Sequence, residues 1–131
     1  MRADLHLHSL CSDGKYAPAE IASKCKEAGL SLFSLTDHDS MEGVFEAVSA
    51  AKELGICCVP GWEVSAYEDV KVHILGYGCE RGEAYFRFLK ERKEGALVRS
   101  EDMIKKANAA LGLNVSLEGA LALRARPDAP L

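Results

Sequence analysis

The chain opens with the segment Ala3-Asp4-Leu5-His6-Leu7-His8, in which apolar and polar side chains alternate. Alternation with a period of two is typical of a β-strand, because successive side chains point to opposite faces. The leucines would then lie on one face, and His6 and His8 would point together from the other. We therefore predict a first strand over residues 2–8 that presents two imidazoles in the same direction.

Helical and strand patterns alternate after this segment. They predict a helix from Pro18 to a stop at Gly29, a strand over 30–35, a helix over 44–54 that stops at Gly55, a strand over 56–60 and a strand over 70–77. Asp39 or Ser40 is the expected N-cap of the second helix. The last strand is expected to pair as a hairpin with the segment around Val64. This order predicts a parallel α/β sheet, in which ligands gather at the carboxyl ends of the strands.

The second part of the chain has a helical pattern. Residues 81–110 predict one long helix or two helices joined near Gly95, and residues 113–115 predict a short extended piece. Ser116 is the expected N-cap of a weak final helix. The length of 131 residues predicts a single domain with core motifs in 1–78, a helical segment in 81–111 and a tail in 112–131.

The composition argues against several classes of protein. The chain is 48% hydrophobic and 27% charged, as globular proteins usually are. With a formal charge of −4, the chain lacks the excess of basic residues needed for non-specific binding to nucleic acids or anionic membranes. It has no run of about 18 apolar residues, and its N-terminal residues lack the apolar core of a signal peptide. We therefore expect a cytoplasmic protein that does not associate with membranes.

The four histidines are the most informative residues, because all of them stand in predicted strands or at strand ends. They are His6, His8, His38 and His73, and the carboxylates near them are Asp4, Asp13, Asp37, Asp39 and Glu63. Neutral imidazole and carboxylate are ligands for Zn, Mn and Fe. Without a cation, clustered carboxylates would repel one another. The pattern predicts a metal site at the carboxyl ends of the strands.

Each residue also has a simpler explanation. A lone histidine in a strand, such as His73, is more often a hydrogen-bonded structural residue than a ligand. Asp39 fits a helix cap, and Asp4 fits a residue that only orients His6 or His8. The joint pattern favours the metal site, because no histidine of the chain lies outside it.

Five motifs, in this order, resemble those of the PHP (polymerase and histidinol phosphatase) family. They are Asp4-Leu5-His6-Leu7-His8-Ser9, Ser12-Asp13-Gly14, Leu35-Thr36-Asp37-His38-Asp39, Pro60-Gly61-Trp62-Glu63 and His73-Ile74-Leu75-Gly76-Tyr77. Within the family, the likeness is strongest to small stand-alone phosphoesterases that act on nucleoside phosphates and RNA ends. The resemblance implies a distorted (β/α)7 barrel, of which this chain would hold a partial, C-terminally truncated version.

The resemblance also implies metal ligands. It assigns His6 and His8 to a first ion, Asp13 and His38 to a second, and Glu63 as a bridge to a site that His73 completes. The expected cofactors are two or three divalent ions, variously Mn, Zn, Fe or Mg. The implied substrate is a small phosphorylated molecule such as a nucleoside phosphate, a nucleotide or an RNA 5′ end.

Further positions match the family in part. Arg99 matches a helix arginine of these relatives and is expected either to contact phosphate through its planar guanidinium group or to be a solvated helix residue. Arg126 is expected to bind substrate. Asp128 stands where these relatives usually carry a histidine ligand, so that its carboxylate is the expected substitute. The later strands that supply another histidine and an aspartate to the metals in the family are not among the 131 residues.

The leading functional hypothesis is hydrolysis of a phosphate ester by metal-activated water. Asp37 or Asp39 would assist proton transfer, and the sequence does not choose between them. The alternative is a truncated, catalytically incomplete metal-binding fragment, which would self-associate through an open sheet edge. Amidohydrolase-type hydrolysis of a C–N bond shares the His-x-His opening but is disfavoured by the motifs at 36–39 and 61–63.

Overall fold

Strands and helices alternate through the first half of the chain. The computed structural model describes residues 1–67 and 69–123. Its elements are β1 (Ala3–Leu7), α1 (Pro18–Glu27), β2 (Leu32–Leu35), α2 (Val44–Glu53), β3 (Cys57–Tyr67), β4 (Lys71–Tyr77), α3 (Glu83–Leu111) and α4 (Leu117–Ala122). They fall into two compact units, residues 1–82 and a unit that begins at Glu83. The first unit contains all the strands of the described chain.

The sheet has the strand order β1-β2-β3-β4. β1, β2 and the first half of β3 run parallel, whereas the second half of β3 pairs antiparallel with β4 from Gly61↔Tyr77 to Tyr67↔Lys71. The sheet curls into a half-barrel. The predicted α/β class and the predicted hairpin are both confirmed.

The core of the first unit lies between the two helices and β2. α1 packs against α2, and α2 packs against β3. The small side chains Ala22 and Ala47 on the inner faces of these helices are fully buried. The buried cluster consists of Ile21, Ala22, Cys25, Phe33, Leu35, Ala47 and Ala51. Gly29 and Gly55 follow the two helices with φ of +73° and +67°, the left-handed conformation typical of a residue just after a helix. The predicted helix stops are therefore confirmed.

β3 is longer than predicted, because the strand continues through Pro60 and Gly61 to Tyr67. Its first residues pair with β2 up to Leu35↔Pro60, and pairing with β4 begins at Gly61. A side chain at Gly61 would overlap the Ser34 hydroxyl and come within 3.0 Å of Thr36 Cγ2. Glycine at this position lets β3 pass close to β2 while it changes partners.

The prediction that Asp39 or Ser40 is the N-cap of α2 is wrong. The N-cap is Gly43, and it makes no side-chain capping hydrogen bond. The Asp39 carboxylate instead accepts the Ser65 N–H at 2.8 Å, and the Ser40 hydroxyl accepts the Glu42 N–H at 3.2 Å. Both side chains shape the loop before the helix, because their polar atoms have partners outside its first turn.

The second unit is helical in its described part. α3 is a single helix that passes through Gly95, so the alternative of two helices is excluded. The Ser116 hydroxyl accepts the Gly119 N–H at 3.0 Å, which confirms the predicted cap of α4. Residues 113–115, where a short extended piece is predicted, link α3 to α4 and belong to neither a helix nor a strand. Among all described residues, no helix combines the length and apolar character needed to cross a bilayer.

Candidate metal centre

The Glu63 carboxylate lies at the centre of the four histidines, and its side chain is 4% exposed. Its Oε2 atom lies 3.1 Å from His6 Nε2, 3.1 Å from His8 Nε2 and 3.3 Å from His38 Nδ1. Its Oε1 atom lies 2.8 Å from His73 Nδ1. Residues from all four strands or strand ends of the first unit therefore meet at one carboxylate.

The sheet register explains this convergence. His6 and His8 are two residues apart and project from the same side of the β1 edge of the sheet. His38 follows β2 and forms an isolated parallel bridge with Glu63. In the hairpin, His73 is opposite Ser65 and Leu75 is opposite Glu63, so that His73 and Glu63 are diagonal neighbours on one face.

Asp13 joins the cluster from the turn between β1 and α1. Its Oδ1 atom lies 3.0 Å from His8 Nδ1, and its Oδ2 atom lies 3.7 Å from His38 Nε2. His8 and His38 therefore each have one ring nitrogen close to Asp13 and the other close to Glu63. The Asp13 side chain itself is 69% exposed.

Within residues 1–67 and 69–123, three overlapping groups of side chains have the donors and the spacing for metal ions. They are His6, His8 and Glu63; His8, Asp13 and His38; and His38, Glu63 and His73, with the donor atoms of each group within 4.8 Å of one another. Two ligands bound tetrahedrally at the usual Zn–N length lie about 3.3 Å apart. The observed donor separations are close to that value, so the residues present fit divalent ions.

His38 Nδ1 supports the same conclusion. It is buried and has no hydrogen-bond partner, because its 3.3 Å approach to Glu63 lacks hydrogen-bond geometry. Leaving such a nitrogen unpaired is costly. A bound cation would use its lone pair.

The two carboxylates of the cluster have lowered pKa values. Burial raises the pKa of Glu63, but the hydrogen bond from His6 and the charges of His38, His6 and His73 outweigh it. For Asp13, desolvation raises the pKa, and the charges of His8 and His38 together with local hydrogen bonds bring it below its usual value. Both carboxylates are thus kept in the deprotonated form that binds cations.

The structure places Asp37 and Asp39 in different environments. Asp37 is 1% exposed, and both its oxygens accept hydrogen bonds from Ser9 and Ser12. Asp39 is half-buried, with φ of +49°, and its Oδ1 atom accepts the Ser65 N–H. Only Asp39 of the two is partly open to solvent.

The remaining predicted residues are Arg99, Arg126, Asp128 and Asp4. Arg99 is an exposed residue of α3 in the second unit. Arg126 and Asp128 lie outside the described residues. The Asp4 Oδ1 atom accepts the main-chain N–H of His6 at 3.2 Å, so this hydrogen bond does not involve the His6 imidazole.

Sequence reasoning assigned no role to Ser9, Ser12 and Tyr77, which hold the surroundings of the cluster in place. The two serines donate to Asp37, and the Tyr77 hydroxyl donates to the Leu5 carbonyl at 3.0 Å. All three stand inside the quoted motifs, directly beside candidate ligands or at a strand end. That position was the available signal.

Curated relatives match nearly all of the chain. A 5′-3′ exoribonuclease of Haemophilus influenzae is 34% identical over 92% of this chain and 44% of its own length. A 3′,5′-nucleoside bisphosphate phosphatase of Chromobacterium violaceum is 38% identical over 90% of this chain and 42% of its own length. The chain spans less than half the length of these relatives.

Solved structures show the same fold. An amidohydrolase from Chromobacterium violaceum, solved with bound sulfate and no metal, matches with a TM-score of 0.76 and 35% identity over 98% of this chain and 46% of that one. A chain from Bifidobacterium adolescentis matches with a TM-score of 0.76 at 24% identity, over 98% of this chain and 45% of that one. The predicted partial barrel of PHP type is thereby confirmed.

A comparison with protein families matches residues 4–106 to the PHP domain. The match includes His6, His8, Asp13, His38, Glu63 and His73. The curled sheet, the histidine cluster around Glu63 and this match agree, and the chain belongs to the PHP family.

Proposed function

We propose that this chain takes part in the metal-dependent hydrolysis of a phosphate ester. The observation that carries the proposal is the Glu63 carboxylate with imidazole nitrogens of four histidines within 3.3 Å of its oxygens. Such a donor set is suited to divalent cations, and a buried charge must be paired or must coordinate a metal. The named activities of the exoribonuclease and the bisphosphate phosphatase support phosphate esters as the substrate class.

The proposed ligands are the six side chains of the cluster. His6 and His8 would hold a first ion, Asp13 and His38 a second, and Glu63 and His73 a third. His8, His38 and Glu63 each belong to two of the three donor groups. The nitrogen-rich set favours Zn, Mn or Fe over Mg. When bound, such ions activate water and neutralise charge on the phosphate.

The protein side chains have separate tasks in this scheme. The half-barrel holds Glu63 and the imidazoles on strands and strand ends, which keeps their donor atoms in a fixed arrangement. Asp39 is the better placed of the two aspartates to accept a proton, because Asp37 is enclosed and its oxygens are occupied. Arg99 and Arg126 are proposed to contact phosphate, and Asp128 is proposed as a further ligand.

The proposed substrate is a small phosphorylated molecule with a nucleoside part, such as a nucleotide or an RNA 5′ end. Both curated relatives described above act on nucleic-acid derivatives by name. A cytoplasmic location, the single-domain organisation and self-association through an open sheet edge remain predictions.

A second candidate is a metal-binding PHP fragment that lacks activity. The share of the relatives' length that this chain matches, 44% and 42%, favours it. In that case the chain would bind ions through the same cluster but would not release phosphate. Metal analysis combined with an activity assay distinguishes the two.

The test is phosphate release from a panel of nucleoside monophosphates, nucleoside bisphosphates and 5′-phosphorylated oligoribonucleotides, with added Mn²⁺ or Zn²⁺. We expect release by the unaltered chain and none by the double variant His6→Ala, His8→Ala. The matched control is Glu27→Gln, an exposed carboxylate at the end of α1, which should keep the unaltered rate. Equal rates in the unaltered chain and the double histidine variant would contradict the proposal.

A further inference from the structure

The buried Asp37 carboxylate holds the turn after β1 in place through hydrogen bonds. Its Oδ1 atom accepts the Ser9 N–H at 2.6 Å and the Ser12 hydroxyl at 2.6 Å, and its Oδ2 atom accepts the Ser9 hydroxyl at 2.7 Å. All three donors belong to the turn that follows β1. Hydrogen bonds to a carboxylate are short and strong, so both oxygens are committed to holding this turn.

The turn has little conformational freedom. The main-chain N–H groups of Ser12 and Gly14 both donate to the Ser9 carbonyl, at 3.1 Å and 2.9 Å. A side chain at Gly14 would overlap the His8 carbonyl oxygen and come within 2.7 Å of the Ser9 nitrogen. Fixing Ser9 and Ser12 therefore fixes the backbone of residues 9–14.

This turn carries Asp13. Because the Asp13 side chain is 69% exposed, packing does little to place it. It nevertheless lies 3.0 Å from His8 Nδ1, and the Ser12 hydroxyl lies 3.4 Å from both Asp13 Oδ1 and His8 Nδ1. The position of the Asp13 carboxylate thus depends on the turn, and the turn depends on Asp37.

We propose that Asp37 is a positioning residue for the donor group of His8, Asp13 and His38. Asp37 acts through its hydrogen bonds with Ser9 and Ser12. Because Asp37 precedes His38 directly, the loop that supplies the ligand His38 also holds the turn that supplies Asp13. The inference rests on the metal centre of the proposed function. Groups that orient metal ligands in this way typically contribute 10- to 100-fold to metal affinity.

Titration of the full chain with Co²⁺, followed by the visible absorption of the bound ion, tests this role. Ser12→Ala removes the hydroxyl between Asp37 and Asp13, and we expect it to weaken the binding of one ion by about 10- to 100-fold. The matched control is Ser34→Ala, which removes another buried serine hydroxyl, one that donates to the Val59 carbonyl. The control should bind Co²⁺ as the unaltered chain does.

Variants of Asp37 itself add a graded comparison. Asp37→Ala should weaken the same ion at least as much as Ser12→Ala does. Asp37→Asn should restore part of the affinity, because the amide oxygen can still accept the Ser9 N–H and the Ser12 hydroxyl. If Asp37→Ala does not fold, the serine variant decides the question alone.

A double-mutant cycle separates positioning from general loosening of the fold. In an Asp13→Ala background, Ser12→Ala should have no further effect on Co²⁺ affinity or on its spectrum. An equal loss with and without Asp13, or no loss in Ser12→Ala, would overturn the inference while leaving the metal centre intact. Absence of Co²⁺ binding by the unaltered chain would instead contradict the proposed function as well.

Discussion

The Tyr77 hydroxyl on β4 donates a 3.0 Å hydrogen bond to the main-chain carbonyl of Leu5 on β1. β1 and β4 are the outer strands of the four-stranded sheet. The sheet is therefore curled enough for one side chain to link its two edges. The same curvature brings His6 on β1 and His73 on β4 to opposite oxygens of Glu63.

Tyr77→Phe should lower the free energy of unfolding by about 0.5–1.5 kcal/mol, the usual contribution of one hydrogen bond. The lower half of that range is expected, because Tyr77 is partly open to solvent. Urea denaturation followed by circular dichroism measures the loss. Tyr67→Phe, at a tyrosine that is 81% exposed, is the control. Equal stability of the two variants would argue that the Tyr77 link contributes nothing.

Gly61→Ala should destabilise the chain by about 1–3 kcal/mol, the range for overpacking a close contact. The new methyl group would overlap the Ser34 hydroxyl and lie 3.1 Å from the Gly76 carbonyl oxygen, which is main chain. Thermal denaturation should show a lower midpoint. Gly82→Ala is the matched control, because nothing lies within 4 Å of a side chain there. If Gly61→Ala were as stable as Gly82→Ala, the close approach of β3 to β2 at Gly61 would be contradicted.

The pKa of the Cys58 thiol predicts a loss of stability at high pH. Burial raises this pKa to about 11, whereas an unfolded chain has a cysteine pKa of about 8.5. The folded state thus keeps its proton when the unfolded state has lost it. This contribution to stability is complete below about pH 8.5 and is lost as the pH rises towards 11.

Urea denaturation between pH 7.5 and pH 11, under reducing conditions, measures this effect. Cys58→Ala should show a shallower decline in the free energy of unfolding with pH than the unaltered chain. Cys57→Ala, at the adjacent exposed cysteine, should decline as steeply as the unaltered chain. Parallel declines in all three proteins would contradict the role of burial at Cys58.

The sequence could predict the parts of this structure that depend on local patterns. Alternation in residues 3–8 predicted that His6 and His8 share one side of a strand, and Gly29 predicted the end of α1. The convergence of His38 on Glu63 followed from the general rule that the carboxyl ends of parallel strands meet at one edge of a sheet. These predictions needed no knowledge of long-range packing.

The parts that failed or were missed depend on contacts between distant residues. Asp39 was expected to cap α2, but the Ser65 N–H from β3 occupies its carboxylate. Asp37 was one of two candidates for proton transfer, and its hydrogen bonds to serines 25 and 28 residues earlier in the chain were missed. No local pattern indicates which backbone donor a distant strand will offer to an aspartate.

The most direct test of the account is the number of metal ions that the chain retains. After dialysis against Mn²⁺ or Zn²⁺ and removal of free ions, native mass spectrometry counts the ions in the unaltered chain, in Glu63→Gln and in the control Glu27→Gln. Because Glu63 belongs to two of the three donor groups, we predict at least two ions in the unaltered chain and in the control, and fewer in Glu63→Gln. No retained ions in the unaltered chain, or equal retention by Glu63→Gln, would contradict the assignment of this cluster as a metal centre.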